Sequence, residues 1–150
     1  MKVPEIACKI EAYAAVHPSE DPQKVQQAVS NILSGMDFKY EDGSIKASSK
    51  DLHCLSKIYD IIRSRQITKT YRRLMRYHMR DDTTWFYLNK QAAFVNVAAI
   101  CDEAEESPLG PIKIILHSKN IETIMDWLAP EFVELLKEPK LIQYCWRQFR

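Results

Sequence analysis

The chain reads as an α+β protein, an antiparallel or mixed sheet with helices packed on one face. Three observations predict this. Apolar residues alternate with polar ones near both ends of the sequence, and helical spacings run between them. The elements also follow the order strand, helix, hairpin, two helices, three strands, helix. At 150 residues the chain is one domain long, a size that buries about 70% of the surface exposed by an unfolded chain. The reading is a single domain over residues 1–130 and a helical extension over 131–150.

From Ile6 to Val16 every even position is apolar (Ile6, Cys8, Ile10, Ala12, Ala14, Val16), which predicts a half-buried strand. Asp21 then caps a helix with Pro22 at its first position, where a missing N–H costs nothing. Val25, Ala28, Val29, Ile32 and Leu33 form its inner stripe, and Gly35 stops it. Phe38–Glu41 and Ile45–Ala47 flank Asp42-Gly43, a dipeptide suited to the positive φ angles of a tight hairpin. A second helix starts after Ser48, with Asp51 placed as in a capping box.

That helix carries Leu52, Leu55, Ile58, Tyr59 and Ile62 on one face, and extending it unbroken would turn Arg65, Lys69, Arg72 and Arg76 toward the same face. Burying unpaired charges is too costly, so a break is expected between Ser64 and Thr68, followed by a separate basic helix. Its cations lie opposite Ile67, Tyr71 and Leu74. Strands are predicted at Thr83–Leu88, Phe94–Cys101 and Ile112–His117. Asn120 caps a last helix with Ile121, Ile124, Met125 and Leu128 inside, and Pro130 ends it. Glu131–Arg150 reads as two short amphipathic helices around Pro139.

Charge is segregated. Arg63, Arg65, Lys69, Arg72, Arg73, Arg76 and Arg80 fall in one segment without an acid, so that segment sums to +7 and the rest of the chain to −6, for a net charge of +1. Such a field suits a polyanionic partner. The competing reading is a solvated face paired to acids elsewhere, with Asp81, Asp82 or the acidic loop Asp102–Ser107 as partners. Trp85, Phe86 and Tyr87 lie on a predicted strand, so either Trp85 with Tyr87 or Phe86 with Leu88 faces outward, where stacking on bases competes with ordinary core packing.

Other chemistries find little support. Gly35, Gly43 and Gly110 are the only glycines, too scattered for a phosphate-binding loop or a dinucleotide fingerprint. His17, His53, His78 and His117 are far apart, and no serine sits in a nucleophile elbow. Cys8, Cys54, Cys101 and Cys145 have no metal or redox spacing and read as core residues of a reducing compartment. No apolar run is long enough to span a membrane. The charged residues Glu5, Lys9 and Glu11 argue against a signal peptide, so the expectation is a cytoplasmic protein, not an enzyme, with no metal and no cofactor.

Three stretches carry a family resemblance: His17-Pro18-Ser19-Glu20-Asp21-Pro22, then Leu88-Asn89-Lys90-Gln91-Ala92-Ala93-Phe94, then Glu106-Ser107-Pro108-Leu109-Gly110-Pro111-Ile112, followed by Asp126-Trp127-Leu128-Ala129-Pro130. Together they resemble the archaeal UPF0201 family of uncharacterised proteins, over about Val3 to Pro130. The resemblance implies a cytoplasmic archaeal protein with a fold similar to that of the large-subunit ribosomal protein that binds the smallest ribosomal RNA. It implies no established activity, and fold likeness does not transfer function. The family tends to carry an acid near position 68, where this chain has Thr68, so the basic stripe is partly peculiar to this member. Glu20, Asp21, Pro22, Asn89, Lys90, Gln91, Pro108, Leu109, Gly110 and Pro111 are the motif positions. Gly110 between prolines reads as a turn, and Lys90 and Gln91 as contact residues.

The expected function is non-catalytic RNA binding, with Arg65, Lys69, Arg72, Arg73, Arg76 and Arg80 on phosphates and Lys90 assisting. The alternative is a protein-interaction or assembly module, a homodimer joined through the extension after Pro130.

Overall fold

A computed structural model describes residues 2–131. Its sheet has six strands in the order β2-β3-β1-β6-β4-β5, every neighbouring pair antiparallel, which decides against the mixed alternative. In chain order the elements are β1 (Lys9–Ala15), α1 (Pro22–Ile32), β2 (Asp37–Glu41), β3 (Ser44–Ser49), α2 (Ser56–Ser64), α3 (Thr68–Tyr77), β4 (Thr83–Leu88), α4 (Lys90–Phe94), β5 (Ile100–Cys101), β6 (Ile112–His117) and α5 (Ile121–Leu128). The expected extension lies outside the described residues except for Glu131.

Alternation dictates which face of the sheet is covered. Register places Ala47, Ala12, Ile114 and Phe86 side by side, with Ile10, Leu116 and Thr84 in the row on one side and Ile45, Ala14, Ile112 and Leu88 in the row on the other. All of these are buried, together with the inner stripes of the helices, such as Val25, Ile32, Leu55, Ile62, Tyr71, Met75 and Ile124. Fully burying one large aliphatic or aromatic side chain contributes about 1.5–3 kcal/mol, so these rows hold the layers together. The intervening residues of each strand point to the opposite face, where they are half-buried or exposed.

Local chemistry sets most boundaries. Asp21 accepts a hydrogen bond from the Gln23 N–H at 3.0 Å, with Pro22 opening α1 as expected. Asp42 (φ 53°) and Gly43 (φ 71°) both take the left-handed conformation that the β2–β3 hairpin requires. The expected break also forms: α2 stops at Ser64, Gln66 turns with φ 57°, and α3 starts at Thr68.

Three expectations are corrected. The first strand starts at Lys9, not Ile6. Ser48 does not open the second helix, because β3 runs through Ser49; instead Asp51 caps a 3-10 turn, Leu52–Leu55, by accepting from the His53 N–H at 2.9 Å. The largest miss is Phe94–Cys101. Only Ile100 and Cys101 are strand, because Asn89 accepts the Ala92 N–H at 2.8 Å and starts the short helix α4, and Asn96 then turns at φ 66°. The apolar side chains of that stretch gave no helical period to read. Its Ala98 carbonyl is held by the Tyr71 hydroxyl at 2.9 Å.

Candidate nucleic-acid interface

The basic segment occupies the end of α2, the bend, α3 and the turn after it, where Arg80 bridges to Thr83. Thr68, Tyr71, Leu74 and Met75 face the sheet, which turns the cations outward. Several of them serve α5. Arg63 donates to the carbonyls of Leu128 (3.2 Å) and Trp127 (2.9 Å), with its guanidinium 3.4 Å from the Tyr59 ring centroid. Arg72 donates to the Ala129 carbonyl at 3.1 Å and pairs with Asp126 (2.7 Å) and Glu131 (3.0 Å). Carbonyls at a helix C-terminus carry the negative end of its dipole, so two guanidiniums are well placed there.

The remaining cations lie open. Arg76 pairs with Glu122 at 3.0 Å, and Arg73 reaches Asp102 only at 3.5 Å, its side chain 61% exposed. Arg80 donates to the carbonyls of Met79 (2.8 Å) and Tyr77 (3.4 Å). Arg65 and Lys69 are exposed and meet no carboxylate among the described residues. Among the described residues the carboxylates that pair with Arg72, Arg73 and Arg76 are Asp102, Glu122, Asp126 and Glu131, more from α5 and the residues just after it than from the loops that the sequence suggested. The exposed pairs of Arg73 and Arg76 contribute about 0–1 kcal/mol each, so phosphate can displace them.

The motif positions come together elsewhere. Lys90 is 3% exposed, and its ammonium donates to Glu20 (2.9 Å) and to the carbonyls of Ala15 (2.7 Å) and Leu109 (2.8 Å). All three donors are satisfied within the chain, which overturns the expectation that Lys90 reaches phosphate. Gln91 donates to the Pro108 carbonyl at 2.7 Å, and the Ser107 hydroxyl accepts from the Lys90 N–H at 3.1 Å while donating to the Gly110 carbonyl at 2.8 Å. Between Pro108 and Pro111 the turn needs positive φ at both Leu109 (63°) and Gly110 (92°). Glu20, Asp21, Lys90, Gln91 and Leu109 line a cavity of about 380 Å³ beside α1, with Val25, Ala28 and Phe94 as its apolar wall. These motifs pin α4 and the 107–111 turn to the start of α1.

The open face of the sheet was only half legible in the sequence. Trp85 and Tyr87 point to it, while Phe86 and Leu88 are fully buried. Register sets Lys39, Lys46, Tyr13, Lys113 and Tyr87 in one row across five strands. His78 stacks on Trp85 (centroids 4.8 Å, 13° between planes), and Tyr77 and Tyr87 meet His78 edge-on at 5.2 and 6.1 Å. The Lys113 ammonium sits 4.8 Å from the Trp85 ring centroid. On the same face the Tyr13 hydroxyl, donating at 2.5 Å, holds the Glu11 carboxyl below its usual range, and His117 lies 2.9 Å from that carboxylate. Sequence reasoning missed Tyr77, His78, Lys39, Lys46 and Lys113, because only strand register and the end of α3 bring them together.

Among the described residues no helix is long and apolar enough to cross a membrane. A family model described as RNA binding matches residues 9–118, which span β1 to the end of β6. A UPF0201 protein of Methanothermobacter thermautotrophicus is 36% identical over 123 residues, covering 82% of this chain and 92% of the relative. One from Metallosphaera sedula is 37% identical over 125 residues, covering 81% and 87%. The crystal structure of the Methanococcus jannaschii UPF0201 protein has a TM-score of 0.70 at 29% identity, covering 82% of this chain and 93% of that one. A DUF54 protein of Archaeoglobus fulgidus, 14% identical with a TM-score of 0.64, shares the fold alone. These likenesses bear on the α+β architecture and not on the ribosomal-protein likeness implied by the sequence. The chain belongs to the UPF0201 family of archaeal proteins.

Proposed function

We propose that this protein binds RNA, gripping phosphates with the exposed cations of the bend, of α3 and of the turn that follows it: Arg65, Lys69, Arg73, Arg76 and Arg80. One observation supports this most: these five exposed cations meet only two carboxylates, Asp102 and Glu122, among the described residues, so this patch keeps an excess of positive charge there. The match to an RNA-binding family model agrees with it. Arg72 and Arg63 belong to the packing of α5 and stand outside the contact set, as does the buried Lys90.

The test is fluorescence anisotropy of the full chain with labelled single-stranded RNA from low to physiological salt. Neutralising five phosphates of a single strand gives a log–log slope of about −3.5. Lys69→Glu/Arg73→Glu should weaken binding and flatten the slope while leaving the melting temperature unchanged. Absence of binding at low salt would sink the reading and leave a protein-interaction module in its place.

A further inference from the structure

We propose that the edge formed by Tyr77, Trp85 and Tyr87, in line with Lys113, Lys46 and Lys39, takes the unpaired bases of single-stranded RNA; this rests on the RNA-binding reading above. Tyr77 is 73% exposed at the last turn of α3, yet its ring is held in edge contact with His78. His78 in turn stacks on Trp85, so helix and strand fix the orientation of both rings in advance. Tyr77 is the exposed ring of the three and offers a rigid π-face at little cost in conformational entropy, which is what stacking on any base requires. Trp85 and Tyr87 are half-buried beside it, with His78 and the Lys113 ammonium against the Trp85 ring.

The charges of this face favour a nucleic-acid occupant. Lys39 and Lys46 stand directly opposite each other across β2 and β3, an arrangement that repels unless an anion lies between or over them. Glu41 pairs with Lys39 at 3.1 Å and also feels Lys46, both lysines holding its carboxyl below the usual range, while Lys113 has no carboxylate partner among the described residues. Near the aromatic end, Arg73 lies one helical turn before Tyr77 and Arg80 donates to the Tyr77 carbonyl. The phosphate-gripping helix therefore ends at the aromatic edge, and the lysine row leads away from it across the sheet. A strand that places phosphates on α3 meets Tyr77, Trp85 and Tyr87 next. Bases within a duplex are not available for such stacking, so the face discriminates single strands from duplexes.

The experiment compares the full chain with Tyr77→Ala and Tyr87→Ser on a labelled single-stranded RNA and its duplex. Thermal melts confirm folding, and crosslinking of the wild-type chain to 4-thiouridine RNA is mapped by mass spectrometry. Each lost stacking contact should weaken single-strand binding by about 5- to 150-fold and leave duplex binding unchanged. Crosslinks are expected on peptides holding Tyr77, Trp85 or Tyr87. RNA binding that both variants retain in full, with crosslinks confined to residues 65–76, overturns this inference while the RNA reading stands. No RNA binding by the wild type overturns both. So does self-association that Tyr77→Ala abolishes, if RNA is not bound, since the face then serves a second copy of the chain.

Discussion

Replacing Lys90 with methionine tests whether the motif residues act as internal supports. The ammonium lies in a site where Lys90 and Glu20 side chains are 4% and 14% exposed, and it makes one ion pair and two bonds to carbonyls. Methionine matches much of the volume but donates nothing. Glu20 would keep only the His17 N–H at 2.9 Å, and the carbonyls of Ala15 and Leu109 would lose the Lys90 donor. Breaking one side of a buried pair costs about 3–5 kcal/mol, a large part of a total stability of about 5–15 kcal/mol. At about 2–4 °C per kcal/mol for a chain of this size, the melting temperature should fall by about 6–20 °C. Adding Glu20→Leu should recover part of that loss, because no orphaned carboxylate then remains. Urea and thermal unfolding followed by circular dichroism supply the numbers. A single variant within about 1 kcal/mol of wild type would refute the reasoning, as would a folded Lys90→Met protein that had lost RNA affinity.

Two predictions complete those given with the proposals. Arg72→Ala, which removes pairs to Asp126 and Glu131 and a bond to Ala129, should destabilise the fold by about 2 kcal/mol. Lys69→Ala should stay within about 0.5 kcal/mol in the same urea titration; equal effects would contradict the assignment of Arg72 to packing. Burial pushes the thiols of Cys8 and Cys54 up to about 11 and about 12, so near pH 8 both should resist iodoacetamide until denaturant is added. Rapid native-state labelling of the peptides carrying them would show that the core opens far more readily than its packing implies.

Much of the fold follows from local rules. The alternation in β1, β4 and β6, Asp21-Pro22 at the start of α1 and Asp42-Gly43 in the hairpin each depend on neighbours a few residues away. The break before α3 was legible for an energetic reason: one continuous helix would have buried arginines. Phe94–Cys101 was misread because an apolar run without a period does not distinguish a short helix from a strand. The Asn89 cap that decides it is one side chain among several possible turn formers.

By itself the sequence determined that charge is segregated, that the chain is α+β, and that the consecutive aromatic residues of β4 turn to opposite faces of the sheet. Only tertiary structure decided which charges are free. Lys90 and Arg72 carry the same formal charge as Lys69, yet the first is enclosed by carbonyls and Glu20 and the second by α5, while Lys69 stays in solvent. Tertiary structure also decided that Lys39, Lys46, Lys113, Trp85 and Tyr87 share a face, since strand pairing joins residues far apart in sequence. A side chain's partners are set by distance in space, whereas sequence periodicity reports only which way it points.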